Sequence, residues 1–307
     1  MLLENISPVF GRHEKFAFRH SWLKKGVEAT IDNPTIFSSN QSLIELGVGK
    51  NMVRSIRHWC QAVGLLDEIE SKGRGVGLAP TELANNLILS SGWDPYLENT
   101  GTLWLIHWQL ISNPVRALVW HLTFTNYLEV EFTKAQLTNY ISHQFGRMKI
   151  QTTAKSIIKE IDCCIRSYVT SWSKTGQLSQ ESLDCPLTEL NLIRFLQEDN
   201  IYRFNIGPKH SLPHQIFGYA LLIYLSNVMG NRKSISVEQC IYQPGSPGQA
   251  FKLDENSATE YIESLETLTS GKVQLQESAG LKQIYIDDAT EESLSAMALD
   301  MLAQFYE

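Results

Sequence analysis

No apolar run in the chain approaches the roughly 18 residues that a membrane span needs, so no transmembrane segment is expected. The opening residues, MLLENISPVFGRHEK, lack the basic stretch and apolar core of a signal peptide. Five cysteines, an odd number at irregular spacing, make neither a disulfide framework nor a paired CxxC zinc site. A reducing cytoplasm is the expected location. Enzyme signatures are equally sparse: there is no GxxxxGK[ST] phosphate loop, no GxGxxG, no HExxH and no GxSxG. Glu70-Ser71-Lys72 has a fragment of the acid-plus-lysine pattern of metal-dependent nucleases, but it falls in a hairpin tip where a solvated turn accounts for it. The motifs alone declare no reaction.

Positive charge is scarce at the C-terminal end, where the acid is concentrated. The net charge of -7 is unevenly spread: residues 1–92 hold 10 Lys/Arg against 9 Asp/Glu, residues 93–233 hold 13 against 11, and residues 234–307 hold 3 against 13. A local basic face can bind phosphate whatever the charge of the whole chain. At 307 residues the chain is long enough for two or three cores. The expected fold is mainly α with small β-hairpins, in three parts. These are an N-terminal winged helix-turn-helix with a basic N-terminal block (1–92), a central helical domain (93–211) and an acidic winged-helix-like interaction module (212–307).

The N-terminal reading rests on LGVGKNMVRSIRHWCQAVGLL, residues 46–66. At about 100° per residue, Val53, Ile56, Cys60 and Val63 share one helix face, while Lys50, Arg54, Arg57, His58 and Gln61 share another. SNQSLIEL before it suits a short helix, with Gly47-Val48-Gly49 as the turn. After it come a Gly64 C-cap, a short strand, the basic glycine-rich tip SKGRGVG, and Thr81 as the cap of a further helix. In a winged helix-turn-helix the second helix enters the major groove and the wing reaches the backbone. Asn51, Arg54 and Arg57 then have donor patterns suited to base edges, Lys50 suits a phosphate, and Lys72 and Arg74 belong to the wing. A module that docks protein, with these cations as a solvated face, is the other reading. Upstream, Arg12, His13, Lys15, Arg19, His20, Lys24 and Lys25 interleave with Phe10, Phe16, Phe18 and Trp22. Such aromatics either stack on bases or anchor to a core. Glu14, alone among these cations, is expected to neutralise Arg19, with a metal-binding or general-base role as the alternative.

Further along, TLWLIHWQLISNPVRALVWHLTFTNYL (102–128) reads as two buried helices broken at Asn113-Pro114, with His107 and His121 as core residues. Thr133 caps one amphipathic helix and Thr153 begins another, in which Cys163 and Cys164 pack rather than chelate. His210 and His214 are four apart, but a helix begins between them, so the spacing does not assure metal-ligand geometry. From Pro213 the order is apolar helix, capped short helix, turn, a third helix capped by Asp254, and two alternating strands. That third helix carries Glu255, Glu260, Glu263 and Glu266, which repel phosphate and suit protein contact.

GRHEKFAFRHSWLKKG, LGVGKNMVRSIRHW, SLDCPLTELNLI, YRFNIGPKHSLPHQIFGYALLIY and GSPGQAFKLDE, in this order, resemble the bacterial family called domain of unknown function 4007, from about residue 8 to the C-terminal end. The resemblance implies a place in DNA phosphorothioation and its antiphage use, beside a cysteine desulfurase, an ATP pyrophosphatase and an ATPase. It also implies nicking of DNA to admit sulfur, with Mg or Mn as the suspected divalent metal. AFRHSWLKK departs from the family pattern, in which a proline before the arginine and a glycine before the tryptophan are commoner. His13 and Glu14 in that block are the candidate catalytic residues. Arg12, Arg19, Lys24, Lys25, Lys50, Asn51, Arg54, Arg57, Lys72 and Arg74 are the candidate DNA contacts. A winged-helix transcriptional regulator and a non-catalytic DNA-binding scaffold remain the alternatives.

Overall fold

In the computed structural model, the residues described are 6–70, 76–89, 91–170, 185–230, 232–278 and 280–307, with the side chain of residue 278 left aside. The chain is mainly helical with small antiparallel sheets. It divides into two units, one from residues 4–121 and 131–203 and the other from 122–130 and 204–307. Two of these limits fall within a helix (Pro114–Thr125) and a strand (Ile201–Phe204).

In the first unit, α1 (His20–Asp32) crosses α3 (Lys50–Ala62), with the short α2 (Ser42–Glu45) between them in sequence. The crossing is close because Gly26 has no side chain: a Cβ there would stand 2.4 Å from Cys60 Sγ. The four apolar positions expected on α3 are all buried. Gly47, at φ 63, makes the turn before α3, and Gly64, at φ 68, follows it. The hairpin β1 (Leu66–Ile69) and β2 (Gly77–Pro80) comes next, antiparallel with Leu66 opposite Pro80. Thr81 then caps α4 (Glu82–Leu87) by accepting from the Ala84 N–H at 3.2 Å. The helix–turn–helix–hairpin order expected from sequence is therefore present. Lys72 and Arg74 lie outside the described residues.

The break at Asn113-Pro114 separates α5 (Thr100–Ile111) from α6 (Pro114–Thr125), and Pro occupies the first helical position, where its missing N–H costs nothing. His107 and His121 are core residues, their Nδ1 atoms 2.7 Å from Tyr168 Oη and the Ile111 carbonyl. Strand β3 (Glu131–Phe132) precedes α7 (Lys134–Arg147), which opens on a Thr133–Gln136 capping box. Thr153 caps α8 (Ala154–Tyr168). Strands β4 (Ile193–Leu196) and β5 (Ile201–Phe204) complete a sheet in the order β3-β5-β4.

The second unit is built on α9 (His214–Val228), buried along most of its length. It packs against α12 (Glu255–Leu268) and α13 (Glu291–Tyr306), and Gly218 lets both approach: a Cβ there would lie 2.9 Å from Leu265 Cδ2 and 3.1 Å from Met301 Sδ. Ser236, Ser246, Asp254 and Thr290 cap α10 (Val237–Tyr242), α11 (Pro247–Ala250), α12 and α13. Strands β6 (Ser234–Ser236), β7 (Val273–Ser278) and β8 (Leu281–Ile286) form an antiparallel sheet in the order β6-β8-β7. The four glutamates of α12 are exposed.

Two lysines are buried in this unit. Lys209 donates to the carbonyls of Asn205, Gly207 and Lys252 at 2.8, 2.7 and 3.0 Å. Lys252 instead holds its Nζ 4.2 Å from the Phe204 ring centroid and 6.0 Å from that of Phe124. Burial pulls its pKa down to about 7. Among the described residues no helix is long and apolar enough to cross a membrane.

Candidate functional site

On the side of α3 away from its core face, Lys50, Asn51 and Arg54 are exposed and Arg57 is half-buried. His58 and Gln61, expected on this face, are buried instead, at 4% and 6% exposure. They sit on the flank of the polar stripe, where the His13 ring of the 9–16 segment stands beside His58 and Gln61 donates to Glu68. A helical wheel assigns faces by angle and cannot register a chain segment laid across the stripe.

That covering segment is pinned from several directions. The Gly11 N–H donates to Glu160 Oε1 on α8 at 2.5 Å, and His13 Nε2 lies 3.1 Å from the same oxygen. Ser55 Oγ donates to the His13 carbonyl at 3.0 Å, Trp59 Nε1 to the Phe16 carbonyl at 3.2 Å, and Cys163 Sγ to that same carbonyl at 3.3 Å. Arg166 donates to the Lys15 carbonyl. Within this frame Glu14 and Lys15 adopt left-handed backbone, at φ 49 and 68. Two successive non-glycine residues there are strained, by about 1 kcal/mol or more each, and persist only where the surroundings over-determine them. The Lys15 N–H lies 3.1 Å from His13 Nδ1, and His13 Nε2 faces Glu160.

The result is a cleft of about 660 Å³ whose charged walls are Arg12, Arg54, Arg57 and Arg116 with Glu14 and Glu68. Glu14 also lines a second cleft of about 310 Å³, with His13, Lys15, Asn51 and Lys159. Arg54 pairs with Glu14 at 3.2 Å; Glu68 meets Arg116 at 2.8 Å, Gln61 at 3.2 Å and Arg57 at 3.9 Å. The hydrogen bond from Arg116, then that from Gln61, holds the Glu68 carboxyl below its ordinary pKa. Partial burial pulls the Arg57 pKa down, Glu68 holds it up, and Arg116 and Arg12 pull it down again. His58 lines the same cleft, and neither of its ring nitrogens has a hydrogen-bond partner among the described residues. Burial, with His13, Arg116 and Arg12 nearby, holds its pKa well below the usual value, so the ring is neutral.

The candidate residues of the sequence thus separate into groups. Arg12, Arg54 and Arg57 meet in the first cleft, and Asn51 lines the second. Lys50 is exposed at the start of α3. Arg19, Lys24 and Lys25 are not drawn into either cleft. The Arg19 guanidinium lies over Trp22, Lys24 meets Glu28 at 3.3 Å and the face of Tyr96, and Lys25 donates to the Leu46 carbonyl. Glu14 pairs with Arg54, not with Arg19 as expected, because the left-handed turn at 14–15 aims it at α3. Glu14 lines both clefts, whereas His13, which lines the second, is 1% exposed with its Nε2 3.1 Å from Glu160 on α8. Arg116, Glu68 and Glu160 carry no signal of a role in the sequence, since nothing near them along the chain tells of the tertiary contacts they make. His58 reads in sequence only as part of a polar helix face.

A divalent ion can be tested against this donor set. Among the described residues no group of three or more His, Cys, Asp or Glu converges as a metal cage. The carboxylate facing both clefts is Glu14. That fits a magnesium-like ion held by one or two carboxylates, water and a substrate phosphate, and does not fit an all-protein cage.

The class is thus a mainly helical protein with an arginine cleft beside an exposed helix face. The chain belongs to the family described as Protein of unknown function (DUF4007), whose model matches residues 10–306. A structure described as an SspB crystal structure is similar to it with a TM-score of 0.89 and 32% identity, over 99% of this chain and 90% of that one. Another, described as magnesium ion-bound SspB, is similar with a TM-score of 0.88 and 31% identity, over 98% and 88%. No curated protein matches the chain.

Proposed function

We propose that the chain is the DNA-binding component of a bacterial DNA phosphorothioation system used against phage, and that it nicks DNA so that sulfur can be incorporated. The carrying observation is the meeting of four arginines, from the N-terminal loop, α3 and α6, in one cleft beside the exposed face of α3. Guanidiniums grouped in this way suit phosphate oxygens, which they bind through two parallel hydrogen bonds. In this reading α2 to β2 act as a winged helix-turn-helix. Helix α3 lies in the major groove, Asn51 and Arg54 face base edges, Lys50 and Arg12 take backbone phosphates, and the tip with Lys72 and Arg74 acts as the wing.

Glu14 would hold a Mg or Mn ion together with a DNA phosphate, and such an ion supplies charge stabilisation and an activated water. The chain's own part is to fix that carboxylate on a rigid turn and to grip the phosphate on either side of it. The acidic face of α12 would dock a partner of the same pathway: the cysteine desulfurase, the ATP pyrophosphatase or the ATPase. The burial of His13 favours a second reading, a non-catalytic scaffold that places DNA for a partner's chemistry; a winged-helix regulator is its variant without partners.

Supercoiled plasmid separates these. Open circles formed with Mg²⁺ or Mn²⁺, lost with EDTA and reduced in Glu14→Ala, are expected of the nickase. Salt-sensitive binding without open circles would leave the scaffold, and unaltered nicking by Glu14→Ala would move the site elsewhere.

A further inference from the structure

We propose that the arginine cleft receives a phosphomonoester dianion, the terminal phosphate of a DNA strand at an end or a nick, in preference to an internal phosphodiester. The inference rests on the DNA-binding reading above and specifies which phosphate that site takes.

Charge is the first argument. Four arginines against two carboxylates leave the walls with two positive charges. A phosphomonoester carries close to two negative charges at pH 7, its second pKa being about 6, whereas a diester carries one. The second argument is competition. Arg54 is engaged by Glu14, and Arg57 and Arg116 by Glu68; Arg12 has no carboxylate partner among the described residues. An incoming anion must therefore take guanidiniums from carboxylates already in place. A singly charged diester exchanged for a singly charged carboxylate gains little. A dianion with three terminal oxygens gains charge and also additional two-pronged contacts.

Shape and the fate of His58 point the same way. Internal phosphates are gripped along an open surface, while this is a concavity whose volume lies within the range of small-molecule sites, roughly 300–1,000 Å³. It has room for a terminal phosphate and its sugar. His58, 4% exposed and neutral, lines the cleft with both nitrogens unpartnered among the described residues. A buried polar group left without a partner is costly and calls for an explanation. A ligand that reaches the back of the cleft gives the ring a hydrogen-bond partner.

The test uses the full chain in EDTA, so that no strand is cut. Nicked duplexes identical except for a 5′-phosphate, a 3′-phosphate or hydroxyls at the nick are compared by fluorescence anisotropy, with deoxynucleoside 5′-monophosphate as competitor. At least one phosphate-bearing nick is expected to bind about tenfold tighter than the hydroxyl form, a difference of about 1.4 kcal/mol. The two phosphate arms show which end is read. The preference should shrink below pH 6 as the monoester takes up its second proton, and the mononucleotide should compete. Arg116→Gln should reduce the preference to within about twofold. Glu68→Gln, which frees Arg57 and Arg116 and adds net positive charge, should tighten the phosphate-bearing forms more than the hydroxyl form and widen the gap, and serves if Arg116→Gln does not fold. Equal affinity for all three nicks, with salt-sensitive binding retained, would overturn the inference and leave the DNA reading standing. Mononucleotide binding without any duplex binding would overturn the DNA reading and this inference with it.

Discussion

Glu160 is the residue through which the loop's geometry can be perturbed without touching the cleft itself. It is 3% exposed, and its Oε1 receives the Gly11 N–H at 2.5 Å and stands 3.1 Å from His13 Nε2. Glu160→Gln keeps an acceptor for Gly11 but removes the charge, and the loss of a charge-assisted bond should cost about 1–2 kcal/mol. Glu160→Ala leaves the Gly11 N–H without its acceptor and removes the carboxylate beside the buried His13 ring, and should cost roughly 3–5 kcal/mol. For a domain of this size each kcal/mol lowers Tm by roughly 2–4 °C, so the alanine variant should melt about 6–20 °C lower. Because Glu14 and Lys15 are strained and held by this frame, the loop should relax first. DNA affinity should therefore fall in Glu160→Ala even at temperatures where the helical CD signal is unchanged. Denaturant titration measures the stability change, and anisotropy with labelled duplex measures the binding. Stability within about 0.5 kcal/mol of the parent for both variants, or a destabilised alanine variant with parental DNA affinity, would refute the claim that Glu160 sets the loop.

Arg54→Ala and Arg57→Ala are each expected to weaken DNA binding. If a side chain reads a base, the cost is on the order of 1–3 kcal/mol at one base position. If it touches only phosphate, weakening is uniform across sequences, and the slope of log K against log salt falls by about 0.9 for each phosphate no longer held. Unchanged affinity in both variants would remove α3 from the interface. In the second unit, Lys252 has its pKa lowered to about 7 by burial, so between pH 7 and the ordinary lysine value the unfolded chain holds a proton that the folded chain lacks. Stability should rise with pH across that window and be lowest below it. Lys252→Met should raise stability by about 1–3 kcal/mol at pH 6 and flatten the profile; an unchanged profile would show that another group titrates.

Much of the fold was legible because its signals are local. The alternation of small, apolar and charged positions in 46–66 placed the core face of α3 and the glycines around it, and Thr81, Thr133 and Asp254 each announced a helix start that the structure contains. Asn113-Pro114 marked the division of α5 from α6 for the same reason. What could not be read was anything fixed by tertiary closure. Glu160 is 149 residues from Gly11, and Arg116 is 48 from Glu68, yet each pair shares a hydrogen bond. The expected pairing of Glu14 with Arg19 failed for the same reason: proximity in sequence favoured a neighbour, whereas a left-handed turn directed the carboxylate to α3. Arg12, Arg54 and Arg57 are recognisable in the sequence as cations on a face. Their gathering into one cleft with Arg116 and Glu68 is visible only once β1 and α6 are in place.

The turn at Glu14 and Lys15 has a consequence for how this protein would respond to selection in the laboratory. Glycine adopts φ near 50–70° freely, so replacing either residue by glycine relieves strain that the chain now carries. A screen for heat resistance would favour the very replacements that erase the Glu14 carboxylate or the Lys15 cation. A screen for the activity proposed above would reject the loss of Glu14. Residue 14 is thus a position where durability and function pull in opposite directions. Sorting a library under each pressure in turn would mark the working surface of the molecule even with its ligand unidentified.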